Sequence, residues 1–289
     1  MHASQWNPLA HWPLLKTLVA RDLAQRYQGT LLGASWSLLY PFLMLGMYVF
    51  VFQGVFSARW PSPSLQSTST LAVPESLQFA FNLYAGLLVV SCFTEVIGRA
   101  PRLISDQPQL VRRVVFPLPL LAVVLSISAW LQSVVQWLIL VLVLLVSMLA
   151  SAAISNADPQ PMLRWLLVSV PLSLMLLALV LPYLCAVAWV LAATGTYLRD
   201  LAQLSPALSA ALMFLGPVFY PLASVPEWIQ WAFFLNPASA VIESLRAVLL
   251  QAQWPPWPTL LGYALGSVAA AGFGHWLFVR VQSGFADVV

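Results

Sequence analysis

Charges are so sparse along the 289 residues that the chain divides into long apolar stretches separated by short polar ones. The first organised segment, His11 to Gln28, repeats Trp12, Leu15, Val19, Leu23 and Tyr27 at spacings of three and four, with Arg21 and Gln25 opposite. That period predicts an amphipathic helix. Lys16 and Arg26 fall within its apolar arc, which suits a helix in the headgroup layer, where long cationic side chains snorkel to lipid phosphates. Asp22 and Arg26 stand at i,i+4, a pairing worth roughly a few tenths of a kcal/mol. The segment fits both a plain interfacial anchor and a lipid-headgroup recognition element.

A helix needs about 20 apolar residues to cross the hydrocarbon core. Six stretches are predicted to do so: 30–56, 77–98, 117–150, 165–195, 201–221 and 259–279. Gly29-xxx-Gly33 opens the first, lies on one helix face and would let another backbone approach closely; Gly262-xxx-Gly266 lies in the last. Pro117 and Pro119 mark where the third begins, and Pro182 is expected to bend the fourth. Between spans lie a Ser/Pro/Thr-rich loop at 57–76, a polar elbow from Arg99 to Arg113, a turn at 156–161 and the pair Arg199-Asp200.

The stretch after the fifth span breaks this rhythm. Between Glu227 and Glu243 lie 15 uncharged residues divided by Asn236-Pro237, too few to cross, and Trp254-Pro-Pro-Trp257-Pro258 stops any helix beyond. The segment 226–250 is therefore predicted to enter the membrane and turn back. Broken backbone at that depth needs protein or a water-filled cavity to satisfy its N–H and C=O groups, so a pathway is expected beside it.

Composition agrees: 61% of residues are hydrophobic and 7% charged, which excludes a soluble globule and predicts an all-α integral membrane protein. The expected architecture is six transmembrane helices, an N-terminal interfacial helix within residues 1–29, and an external re-entrant hairpin between spans five and six, the membrane domain covering 30–289. With both termini cytoplasmic, nine of the 12 Lys and Arg face inward and only Arg59, Arg164 and Arg246 face outward. No cleavable signal peptide is expected, because the first apolar run is too long for one. Cys92 and Cys185, both in apolar runs, read as buried thiols.

Candidate chemistry is mostly missing. The only lysine, Lys16, stands in no Gly-rich phosphate loop, so this chain is not an ATP-driven motor by itself. His2, His11 and His275 are scattered, suggesting neither a metal site nor a catalytic triad. Glu95, the deepest charge, precedes Arg99 by four residues and is expected to form a salt-bridged helix end rather than a proton relay. Most of the 13 Trp and 8 Tyr are expected in interfacial belts, with a minority free to stack on sugar rings. What remains is a permease moved by a partner, with the elbow as docking site.

The run Arg21-Asp22-Leu-Ala-Gln-Arg26-Tyr27-Gln-Gly29-Thr-Leu-Leu-Gly33-Ala-Ser-Trp36, followed by Pro41, resembles the opening of type-2 ABC transporter permeases that export bacterial polysaccharides. Tyr197-Leu-Arg199-Asp200, Pro217-Val-Phe-Tyr220-Pro221, Val225-Pro226-Glu227-Trp228 and Asn236-Pro237 through Glu243-Ser-Leu-Arg246 resemble that family in order and spacing. The likeness covers nearly the whole chain and is nearest to O-antigen exporters, ahead of capsule and teichoic acid exporters.

The resemblance implies a homodimer in the bacterial inner membrane, with two copies of a separate ATPase that binds ATP and Mg. It implies no cofactor in this chain and no nucleic-acid partner. The N-terminal interface helix near Arg21 to Gln28 and the elbow from Arg99 to Arg113 would both contact the ATPase, with coupling falling on Arg99, Arg102, Asp106, Arg112, Arg113, Arg199 and Asp200. Undecaprenyl-diphosphate-linked polysaccharide would be admitted from the cytoplasmic leaflet near Arg21, Arg26 and Tyr27. An external gate would comprise Tyr220, Pro226, Glu227, Trp228, Asn236, Pro237, Glu243 and Arg246. Two other readings stand beside this one: a membrane-embedded transferase acting on lipid-linked sugars through Glu227 and Glu243, and a drug or lipid exporter of the same superfamily.

Overall fold

A backbone in lipid must satisfy its own polar groups, and this sequence does so with helices throughout its described elements. The structure, a computed structural model, describes residues 12–29, 31–55, 75–109, 116–155 and 160–288. Most of the Ser/Pro-rich loop, Arg112 and Arg113 of the elbow, and most of the turn at 156–161 lie outside the described residues.

Helix α1 spans Trp12–Tyr27, and a 3-10 turn, Gly33–Ser35, leads into α2, Trp36–Tyr48, which continues as a π-helical segment, Val49–Val55. Then come α3 (Glu75–Arg99), a 3-10 turn at Ala100–Arg102, α4 (Pro119–Ser155), α5 (Gln160–Ala178) and α6 (Leu181–Tyr197). The chain continues through α7 (Leu201–Phe214), α8 (Glu227–Leu235), α9 (Ser239–Leu250), α10 (Trp257–Val281) and the short α11 (Phe285–Val288).

Among the described residues, four helices are long and apolar enough to cross a membrane: Leu77–Arg102, Pro119–Ile154, Leu163–Tyr197 and Trp257–Gly284. Trp36–Phe52 and Leu201–Phe214 are shorter apolar helices in the places of the first and fifth predicted spans. The fifth stretch stops well before residue 221 because Gly216 and Pro217 end it. Pro217 has no N–H and disfavours helical backbone at the residue before it. A Cβ at Gly216 would come within 3.0 Å of the Leu212 carbonyl oxygen. The expected bend near Pro182 is present as the break between α5 and α6, with Pro182 in the first turn of α6, where a missing N–H costs nothing.

The close backbone approach expected at Gly29-xxx-Gly33 does not form. Both glycines have left-handed φ, +78° and +52°, and a Cβ on either would meet nothing within 4 Å. They turn the chain from α1 into α2 instead.

Helix α3 is the axis of the bundle: 78% of its apolar window is buried, against 17% for α10 at the periphery. It packs against α4, α7 and α9, with Phe81, Leu88 and Phe93 fully enclosed. Between helices in lipid, close packing and cross-helix hydrogen bonds supply the cohesion. Trp130, Trp165 and Trp189 donate their indole N–H to the carbonyls of Leu177, Val248 and Pro119, and Trp137 donates to Ser173 Oγ, all at 2.8–3.0 Å. These four tryptophans staple helices together rather than forming an interfacial belt. Helix α1 lies on α4 through Leu15, Leu18 and Val19 against Leu120 and Val124.

Candidate functional site

Among the described residues, most of the charged side chains singled out by the sequence gather in three places. The first joins α1 to the end of α3. Asp22 and Arg26 are one turn apart on α1, Glu95 and Arg99 one turn apart on α3, and the four close into a ring. Arg26 reaches Asp22 at 3.3 Å and also bridges to Glu95; Arg99 reaches Asp22 at 2.5 Å and Glu95 at 3.1 Å. Glu95 thus forms the salt-bridged helix end expected from the sequence, with a second cation added from α1. Burial alone would raise the Asp22 carboxyl, but the hydrogen bond and charge of Arg99, with the charge of Arg26, outweigh it and hold the group below its ordinary 3.8. Arg26 is therefore occupied by carboxylates, while Arg21 is exposed on the same helix and Tyr27 ends it. The Tyr27 side chain lies outside the described residues.

The second place is a polar groove of about 520 Å³ beyond the end of α3. Arg102, Ser105 and Asp106 line it from the elbow, Thr196 from the end of α6, and Arg199 and Asp200 from the turn between α6 and α7. Four of the residues expected to couple to a partner are thus brought together across nearly 100 residues of sequence, and Arg99 lies one residue before the 3-10 turn that opens the elbow. The two loops meet because position 195 is Gly: a Cβ there would lie 2.6 Å from Pro101 Cα. Sequence reading did not single out Gly195, and a lone Gly near a helix end carries no local signal of a long-range contact.

The third place is the broken segment after α7. Tyr220 donates its hydroxyl to the Phe214 carbonyl at 2.9 Å, satisfying an acceptor left open at the end of α7, and its ring stands edge-on to Phe233 of α8. Pro226 immediately precedes α8, Glu227 lies in its first turn, where the helix dipole favours an anion, and Gln230 reaches back to the Val225 carbonyl at 2.8 Å. Trp228 and Trp231 are largely exposed, at 75% and 63%. Helices α8 and α9 are nine and 12 residues long, about 14 and 18 Å, each far short of the hydrocarbon core. At the break, Asn236 donates to the Leu212 carbonyl and accepts from the Ala238 N–H, both at 2.9 Å, with Pro237 between. This side chain closes the turn just before α9 and ties the break to α7.

Helix α9 is almost wholly enclosed, and Arg246 is its largest buried side chain. Its guanidinium donates to the carbonyls of Asn82 (3.0 Å), Pro217 (2.5 Å) and Val218 (2.8 Å), and to Glu243 at 3.0 Å. Pro217 and Val218 belong to the non-helical run after α7, whose carbonyls have no helix partner. Arg246 supplies the donors that broken backbone requires in an apolar surround. Gly86 makes room for it: a Cβ there would sit 3.0 Å from Arg246 Nη2 and 3.2 Å from Val218 Cα. Arg246, one of the residues expected at the external gate, is buried among these carbonyls with Glu243 as its carboxylate.

Two further spaces flank these places. An apolar cleft of about 670 Å³ runs between α6, α7, α8 and α10, with Trp231, Asn236 and Pro237 on its wall. A smaller cavity of about 170 Å³ between α2, α3 and α4 is lined by Tyr40, Tyr48, Tyr84, Ser91, Thr94 and Gln136. The arrangement offers a polar groove, a braced pair of short helices and aromatic-lined spaces. Among the described residues, no three His, Cys, Asp or Glu side chains gather as metal ligands.

The family profile described as "ABC-2 type transporter" matches residues 13–250. The "O-antigen export system permease protein RfbA" of Myxococcus xanthus is 26% identical over 278 residues, covering 96% of this chain and 95% of that protein.

Proposed function

Since the chain belongs to the ABC-2 type transporter family, we propose that it is the permease of an ATP-driven exporter of bacterial polysaccharide. Its substrate is an undecaprenyl-diphosphate-linked glycan of the O-antigen class, taken from the cytoplasmic leaflet and passed across the inner membrane. The observation that carries this reading is the likeness to the Myxococcus O-antigen permease along nearly the whole of both chains. Six spans, both termini cytoplasmic, and a homodimer joined by two ATPase subunits complete the assembly.

Physical features support each part. The chain holds no phosphate-binding loop, so ATP with Mg is bound by the partner. The groove carrying Arg102, Asp106, Arg199 and Asp200 offers both signs of charge to a docking protein, and Arg112 and Arg113 extend the elbow's charge. Exposed Arg21 suits attraction of an anionic diphosphate. Trp228 and Trp231, exposed on α8, and the Tyr40, Tyr48 and Tyr84 cavity offer aromatic faces to sugar rings. The hairpin α8–α9 sits on the outer face as the gate, with Tyr220, Pro226, Glu227, Asn236, Pro237 and Glu243 setting its shape. Glu243 is committed to Arg246, which disfavours a transferase with Glu227 and Glu243 as catalytic pair.

The test is co-purification with the cognate ATPase followed by hydrolysis assays in lipid nanodiscs. The expected result is a stable complex whose hydrolysis rises with undecaprenyl-diphosphate-linked glycan and not with the free glycan. Failure of the two proteins to associate overturns the reading. The apolar cleft of about 670 Å³ favours a second reading, a lipid or drug exporter; stimulation by an apolar compound alone would select it.

A further inference from the structure

Apolar contact holds α1 on α4 through Leu15, Leu18 and Val19, but such contact is non-directional and lets a helix slide or roll. Direction comes from the four charges. Each helix contributes one cation and one carboxylate, and each cation touches both carboxylates, so the ring closes only when Asp22 and Arg26 face Glu95 and Arg99 together. Arg99 engages both oxygens of Asp22, through Nη2 at 2.5 Å and Nη1 at 3.3 Å, and uses Nη1 again on Glu95. Isolated surface ion pairs are worth little, whereas a network with a two-pronged arginine is the arrangement in which they count. The ring is electrically neutral and sits where α3 ends, so the next residues of the chain, Ala100 to Asp106, form one wall of the polar groove.

We propose that this ring makes α1 and the elbow a single mechanical body. Asp22, Arg26, Glu95 and Arg99 are positioning residues that deliver any displacement of the elbow to the interfacial helix. The proposal rests on the permease reading, in which the elbow is where a partner pushes. Helix α1 then moves with the groove, carrying exposed Arg21 with it, although α1 lines no part of that groove. Arg26 thereby has a mechanical role in place of a substrate-binding one.

The experiment uses the full chain in nanodiscs with spin labels at exposed Gln25 on α1 and exposed Ser105 on the elbow, with pulsed dipolar spectroscopy reading the distance between them. The variants are Arg99→Ala, Arg99→Lys and Asp22→Asn, so that a fold lost in one leaves the others to decide. The unaltered ring is expected to give one narrow distance, Arg99→Ala and Asp22→Asn a broad one, and Arg99→Lys an intermediate one, because an ammonium keeps the charge without the two-pronged geometry. With the ATPase added, Arg99→Ala should lower glycan moved per ATP by about tenfold. A narrow distance in both charge-removing variants, or an unchanged yield per ATP, overturns the proposal. The distance measurement needs no partner: if the unaltered chain fails to bind or stimulate any ATPase, the exporter reading falls while the spectroscopy still decides whether the ring locks the two elements.

Discussion

A guanidinium with 1% of its side chain exposed, in a chain that is only 7% charged, is costly to bury and has to be justified by what it holds. Arg246 meets three backbone carbonyls and one carboxylate, on α3, on the run after α7, and on its own helix. Arg246→Met should therefore destabilise the protein by about 3 to 5 kcal/mol, the usual cost of removing one partner from a buried polar network. Thermal unfolding in nanodiscs checks this, and Gly86→Ala should lower the midpoint in the same direction by crowding the guanidinium, at about 1 to 3 kcal/mol. Asp22 carries the opposite pH signature to a histidine switch. Its folded pKa is lowered from 3.8, so its contribution to α1 docking is complete above pH 3.8 and is lost as pH falls through the lower folded value. The label distance between Gln25 and Ser105 should stay narrow at neutral pH and broaden only in strong acid. The pairing of Asp22 with Arg26, and of Glu95 with Arg99, was legible as i,i+4 spacing; the joining of the two pairs was not, because it depends on how α1 lies across α3. The same limit applies to Arg246, whose sequence position gives its charge but not the location of the open carboxyl-side backbone it serves.

At the scale of elements, the two halves of the broken hairpin differ. Helix α9 is packed on α3 and α5 and pinned by Arg246 and by Trp165 at the Val248 carbonyl. Helix α8 exposes Glu227, Trp228 and Trp231 and meets α9 across the Asn236 turn. The lengths of these helices and the break at Asn236-Pro237 were readable from charge spacing and proline, as were α3 and α4. The early stop of α7 at Phe214 was harder to read, since the apolar run continues through it and only Gly216 and Pro217 mark the end. The turn at Gly29 and Gly33 was misread for a related reason: two glycines four apart look alike whether they lie on a helix or in a left-handed turn. If the hairpin re-enters, Glu227→Cys and Gln253→Cys, in a chain with Cys92 and Cys185 replaced by Ala, should both react with an impermeant thiol reagent from the periplasmic side. Reaction of the two from opposite sides would make the segment a seventh span.

At the scale of the molecule, the parts form a chain of contacts from a polar groove at one end of α3 to a braced, broken segment beside its other half. The elbow and the α6–α7 turn line the groove through the Gly195 and Pro101 contact, the charge ring ties it to α1, and Arg246 binds α3 to the hairpin. A push delivered at the groove would have a continuous path of packed helix to follow. The central claim is that this path serves vectorial movement of a lipid-linked glycan driven by ATP, and transport itself tests it most directly. Inside-out membrane vesicles holding the chain and its ATPase would be loaded with undecaprenyl-diphosphate-linked glycan, and an endoglycosidase would be added outside after ATP. The account predicts that glycan becomes protected from the enzyme in an ATP-dependent manner and that a hydrolysis-dead ATPase abolishes protection; glycan that stays fully cleavable with ATP and an active ATPase present would contradict it.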